Sequence, residues 1–175
     1  MISWVIPADA RQPKPWRNGR GTSSWIYGTE GRDGSIGWEI SIADLNQDAD
    51  FSDYTGFDRI FTPLSGQVAL AFDGGAFEDC PLLTPRQFRG ETPTRCRVRA
   101  PGQALNVITD RSAHRGAVEV LHLADDAYVE AATGIFVVKG GLFCGRKRAG
   151  PGDTVTGRLS SLANGDTVVI RVQID

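Results

Sequence analysis

Four side chains carry chemistry in otherwise apolar surroundings: Glu39 and Ser41 in WEISIA (38–43), Arg59 in GFDRIF (56–61) and Asn106 in ALNVITDR (104–111). In an extended chain alternate residues face the same side. Glu39, Ser41 and Ala43 therefore share one face of their segment, with Trp38, Ile40 and Ile42 on the other. Ala104, Asn106 and Ile108 share a face in the same way. A carboxylate, a hydroxyl and an amide in such segments must find partners or water. Two readings follow: the outward face of an edge strand, or the mixed lining of a ligand pocket inside a barrel. Arg59 is open to a similar pair of readings, a bidentate clamp for a carboxylate or a structural partner of Glu39 or Asp58.

A second concentration of polar groups is PKPWRNGRGTSSW (13–25). It is not a phosphate loop. A Walker-type cradle needs GxxxxGK followed by Ser or Thr, and NGRGT lacks both the lysine and the spacing. A dinucleotide loop needs GxGxxG between a strand and a helix; Gly19 and Gly21 supply GxG, but strand-like sequence follows. Arg17 and Arg20 either attract an anion at a loop mouth or are simply solvated. The basic run GRKR (145–148) leads into AGPGD and reads as a hairpin tip. His114 and His122 are the two histidines, with no HxH pair, so no metal site and no cofactor is expected. No GxSxG elbow is present and no cysteine is locally activated, so no catalytic residue is assigned.

The elements that must position these groups are short strands. Thr22–Tyr27, Trp38–Ala43, Ile60–Phe61, Gln67–Phe72, Thr94–Arg99, Ala104–Thr109, Ala117–Leu123, Gly134–Lys139, Leu142–Cys144 and Thr167–Ile174 are separated by Gly, Pro, Asp and Asn. Spacing near ten residues points to an all-β sandwich or barrel. Leu123–Ala131 is the one stretch with the look of a short helix. LSGQVALAF (64–72) and VKGGLFCG (138–145) each set a glycine turn between apolar runs, either a faint duplication or two unrelated hairpins.

Composition narrows the function classes. The 175 residues are 41% hydrophobic, enough for one domain or two small fused modules. Lys+Arg is 19 against Asp+Glu 21, net −2, which argues against a nucleic-acid binder. No apolar run is long enough for a membrane span, and no signal peptide is expected at the start. Cys80, Cys96 and Cys144 form no CxxC and read as shielded thiols in a reducing, cytoplasmic compartment.

PWRNGRGT (15–22), W-x-ISIA (38–43), FSDYTGFDRIFTPLSG (51–66), QFRGE (87–91) and LNVITDR (105–111) together resemble the HutD/Ves family of bacterial cytoplasmic proteins associated with histidine utilisation. GIFVVKGGLFCGRKRAGPGD (134–153) fits the second barrel of that family more loosely. The resemblance implies a metal-free bicupin: all-β, two double-stranded β-helix barrels, little helix, with residues 1–112 in the first barrel, 113–175 in the second and strands shared between them. It also implies a small anionic metabolite of histidine breakdown as ligand, of the N-formylglutamate type, with a regulatory role. The chain departs from the family pattern in three places. Ser24-Trp25-Ile26 stands where the family has Arg-Glu-Ile, Glu39 where its strand has Arg, and Ala104 where a later strand has Asp. These changes read as one rebuilt pocket, with Trp25 filling vacated volume.

The expected function is therefore binding of a small polar or anionic metabolite by Trp16, Asn18, Thr22, Trp38, Ser41, Arg59 and Asn106, with Glu39 as a further candidate. No nucleic acid or membrane partner is expected, and a homodimer is allowed. The rival readings are a metal-independent enzyme using Glu39 as general base, and an interaction protein with a collapsed pocket.

Overall fold

The computed structural model describes residues 4–16, 19–31, 34–157 and 160–175. The chain divides into two compact units, residues 12–116 and a second built from 117–175 with the N-terminal segment through Arg11. The chain opens on β1 (Trp4–Ile6). In the first unit follow β2 (Pro13–Pro15), β3 (Thr22–Glu30), β4 (Ile36–Leu45), β5 (Ala49–Asp50) and β6 (Phe57–Pro63). That unit is completed by β7 (Gln67–Phe72), β8 (Glu78–Cys80), β9 (Arg86–Arg89), β10 (Thr94–Ala100) and β11 (Gly102–Asp110). Then come β12 (Gly116–Leu123), β13 (Tyr128–Val129), β14 (Gly134–Lys139) and β15 (Leu142–Cys144). The last are β16 (Lys147–Ala149), β17 (Thr154–Thr156), β18 (Ser161–Ala163) and β19 (Thr167–Ile174).

Within the first unit, β2-β3-β4-β11-β6-β9 form a six-stranded antiparallel sheet and β5-β10-β7-β8 a four-stranded one. Side chains from both sheets meet in one core. Ala43, Leu45, Phe61 and Ala104 come from the larger sheet; Val68, Leu70, Cys80 and Cys96 come from the smaller. This is the arrangement of a small β-barrel, in which inward positions alternate with outward ones. The central strands are buried on their other face too: Ile40, Ile42, Leu105 and Val107 are all buried. The turn between β6 and β7 needs Gly66, whose φ is +78° and where a Cβ would fall 2.5 Å from the Ala100 carbonyl oxygen.

The pairing of β3 with β4 contains a bulge. Trp25 lies opposite Ser41, but Tyr27 lies opposite Ile40, so Ile26 is the extra residue. Beyond it Gly28, not Tyr27, stands beside Glu39, and the Tyr27 ring makes an edge contact with Trp38 on the opposite face, 5.2 Å between centroids.

The second unit repeats the plan with sheets β1-β17-β14-β19-β12 and β13-β18-β15-β16. Its core gathers Ile135, Val137, Leu142, Val155 and Val169. Residues 4–11, expected with the first barrel, are placed here: β1 pairs antiparallel with β17, Trp4 opposite Thr156. The Ala8 amide donates to Asp153 and the Arg11 guanidinium to the Gly152 carbonyl, both at 2.9 Å. Leu123–Ala131, the one stretch with the look of a short helix, does not form one. The Ala127 amide closes a turn onto the Ala124 carbonyl, Asp126 takes a positive φ, and Tyr128–Val129 continues as strand against β18. Pairing with a neighbour strand outweighs weak local helix propensity. GRKR lies at the tip and second arm of the β15–β16 hairpin, where Arg146 and Lys147 are exposed.

All three thiols are buried, and desolvation pushes the Cys96 thiol up to about 12. No helix among the described residues is long and apolar enough to cross a membrane. The end of β11 is clamped by Arg111, which donates to Asp58 at 2.8 Å, to both Glu91 carboxylate oxygens at 2.9 Å and to the Phe57 carbonyl.

Two outcomes follow. Leu70→Ala, at a fully buried contact between the sheets, is expected to cost about 2–5 kcal/mol in denaturant unfolding. The second concerns pH: hydrogen bonds from Arg111 hold the Glu91 carboxyl down at about 2. Its folded pKa lies below its unfolded one, so its contribution is fully present above about pH 4.5 and is lost as pH falls towards 2. The stability advantage of the wild type over Glu91→Gln should therefore be present at pH 7 and shrink across that acid window in parallel melts.

Candidate functional site

The six-stranded sheet forms one wall of a cavity of about 470 Å³ inside the first unit. Strand register lays its floor out in rows. Glu39, Ile108 and Arg59 stand side by side across β4, β11 and β6. The next row is Trp25, Ser41, Asn106 and Phe61, and below it come Ser23, Ala43 and Ala104. Both β4 and β11 have neighbours on each side, so the polar face of these strands is not the outside of an edge strand. It faces the barrel interior.

Arg59 is the centre of this site. It is only 6% exposed. One guanidinium nitrogen, Nη2, donates to Asn106 Oδ1 at 3.0 Å. The guanidinium carbon lies 4.6 Å from the ring centroid of Phe51, 5.4 Å from Phe88 and 5.6 Å from Tyr54. The rings supply a negatively polarised surround, which offsets part of the cost of taking the cation out of water. Nε has no hydrogen-bond partner among the described residues. Burial pulls the Arg59 pKa down to about 10, with Tyr54 and Glu39 opposing the shift, so at pH 7 the side chain keeps its charge. The structural pair with Asp58 does not form through Arg59, since Asp58 is bound by Arg111 at 2.8 Å.

The remaining lining grades from polar to aromatic. Ser41, buried, donates to Glu39 Oε1 at 3.1 Å. Trp16 turns its indole N–H to Ser23 Oγ at 2.8 Å and packs edge-on against Phe51. Gly21 permits this placement, because a Cβ there would sit 2.8 Å from the indole ring. Lys14, Ser52 and Tyr54 also line the space. A second, wider cleft of about 880 Å³ adjoins the cavity and shares Trp25, Glu39 and Tyr54 with it.

The structure brings together Trp16, Ser41, Arg59, Asn106 and Glu39 among the residues expected from sequence. Trp38 lies on the other face of β4 and lines the adjoining cleft instead. Thr22 also faces away, and its hydroxyl donates to Asp44 Oδ2 at 2.7 Å. Asn18 and Arg17 lie outside the described residues. Trp25 does not fill the barrel as expected: it is 49% exposed and lines both the cavity and the adjoining cleft. Ala104 is fully buried in the apolar core.

Sequence reasoning missed Phe51, Tyr54 and Phe61. Phe61 was recoverable, since it shares a strand face with Arg59. Phe51 and Tyr54 lie between β5 and β6, where no periodicity marks an inward side. Among the described residues no group of three or more His, Cys, Asp or Glu is placed to hold a metal ion.

Comparison with known proteins agrees with this architecture. HutD from Pseudomonas fluorescens SBW25, solved in a formate condition, superposes with a TM-score of 0.82 at 23% identity, covering 99% of this chain and 100% of that one. A conserved protein of unknown function from Pseudomonas aeruginosa PAO1 gives 0.84 at 24% identity over the whole of both chains. A cupin 2 conserved barrel domain protein from Leptotrichia buccalis gives 0.68 at 8% identity, covering 100% of this chain and 98% of that one. The fold is thus the all-β cupin fold, two double-stranded β-helix barrels in one chain. An uncharacterised 21.2 kDa protein in the 3′ region of hutC of Pseudomonas putida is 36% identical over 87 residues, 48% of this chain and 45% of that protein. The match thus takes in less than half the length of that relative. The HutD family model matches residues 8–173, nearly the whole length, and the chain belongs to the HutD family.

Proposed function

We propose that the cavity of the first unit binds a small metabolite through a carboxylate, and that the protein acts in histidine utilisation as a regulatory binding protein. The observation that carries the reading is Arg59: a charged guanidinium, 6% exposed, with one neutral amide as hydrogen-bond acceptor and Nε unmatched among the described residues. A buried cation with unused donors is a costly arrangement, and a carboxylate would relieve it with charge-assisted hydrogen bonds in a low-dielectric space. Asn106 holds the guanidinium in place, while Ser41 and Trp16 offer a hydroxyl and an apolar wall to the rest of the ligand. A pocket of this volume suits a ligand of modest size. The link to histidine utilisation is supported by the family and by the hutC neighbourhood named for the Pseudomonas putida relative.

Thermal shift and calorimetry with formate, glutarate and N-formylglutamate test this reading. A carboxylate at a hundred times its Kd should add about 2.7 kcal/mol to stability. Arg59→Gln should weaken binding by roughly tenfold or more, the worth of a hydrogen bond to a charged group. Absence of stabilisation by every acid at millimolar concentration would exclude the carboxylate site.

A further inference from the structure

We propose that the protein forms a two-fold homodimer through the outer face of the small sheet in its second unit. Alternation fixes which side chains reach that face. Val129, Ser161, Ala163, Leu142, Cys144 and Ala149 turn inward and are buried. Tyr128, Leu162, Phe143 and Arg148 therefore turn outward, and register sets them side by side in one row across β13, β18, β15 and β16. The row spans three strand spacings, about 14 Å. Tyr128 is 75% exposed and Phe143 41%, with Leu162 half-buried between them. The solvent face of an antiparallel sheet is normally polar, and apolar side chains aligned across three adjacent strands mark a surface that another protein covers.

The charges at the two ends of the row identify the occupant. On the β13 edge Asp126 and Glu130 are exposed on either side of Tyr128. At the opposite edge Arg146 and Arg148 are exposed on the β15–β16 hairpin. None of these four takes part in an ion pair among the described residues. The face thus runs from an acidic edge through an apolar middle to a basic edge, an order complementary to itself when one copy is turned over. A two-fold axis along the strands, midway between β18 and β15, lays each β13 edge on the partner's hairpin and each Leu162 on the partner's Phe143. An axis across the strands would set like charges on each other, so the order of charge selects the first arrangement. A uniformly acidic or uniformly basic partner would be repelled by one of the two edges.

Sedimentation velocity on the intact protein, over a micromolar concentration series, tests this. The wild type should form a concentration-dependent dimer that weakens as salt is raised. Phe143→Ser should weaken it by about tenfold or more, the usual effect of removing an aromatic anchor from an interface. Two charge-reversal variants then read the orientation. Arg146→Glu with Arg148→Glu makes both edges acidic, and Asp126→Lys with Glu130→Lys makes both basic. Each variant alone should be monomeric, and the two mixed in equal amounts should recover the dimer. That recovery also establishes that both variants are folded. A wild type that stays monomeric would leave the face to a protein of another kind and overturn the proposal. A dimer indifferent to Phe143→Ser or to either charge reversal would place the interface elsewhere and overturn it as well. Loss of the dimer in both variants without recovery on mixing would overturn the two-fold arrangement.

Discussion

The first unit is organised around the burial of one positive charge. Placing a guanidinium inside a β-barrel forfeits its hydration, and the surrounding sequence answers that loss from three directions. An amide oxygen comes from β11, aromatic faces come from Phe51, Tyr54 and Phe88, and a carboxylate stands one row position beyond Ile108. Each depends on strand register. A slip of one residue between β6 and β11 would carry Arg59 to the opposite face of the sheet, among Ile40, Ile42 and Val107. The clamp from Arg111 to Asp58 and Glu91 fixes that register at the adjacent residue. It keeps Asp58 engaged with Arg111 and not with the buried cation next to it.

The aromatic surround has a second effect. Phe51 packs at 5.4 Å from Phe61 and stacks with Phe88, and Phe72 leans on Phe88, so the ring cluster is continuous with the core beneath the cavity. Side chains that shape the cavity are therefore the same ones that stabilise the sandwich of the two sheets. A cavity built on such packing is held in shape by the core itself.

Much of this was legible in the sequence, for definite reasons. Alternation in WEISIA and ALNVITDR placed Glu39, Ser41 and Asn106 on a common face, because a period of two leaves no other arrangement once the segments are strands. What alternation could not supply was which face was inward, since both faces of β4 and β11 are buried. Trp38, a candidate through the family pattern, lies across the sheet from Glu39 and Ser41. Thr22 takes an outward position on its strand, with Asp44 as partner. Trp25 was expected to plug the interior because local composition says nothing of the direction a rim residue takes. The pairing of β1 with β17 spans some 150 positions of sequence, and no local signal reaches that far.

The bulge at Ile26 has a consequence for the evolution of the pocket. With regular pairing, the residue two places beyond Trp25 would stand beside Glu39, and that residue is a tyrosine. The inserted position shifts the phenol to the far side of the sheet and brings a glycine into the vacated place, where a Cβ would meet the Trp38 carbonyl at 2.5 Å. The side of the sheet on which this ring packs is thus decided by chain length in one strand, not by the chemistry of any lining residue. Loss of a single codon there would restore regular pairing and carry the Tyr27 ring to the cavity side without altering Glu39, Ser41, Arg59 or Asn106.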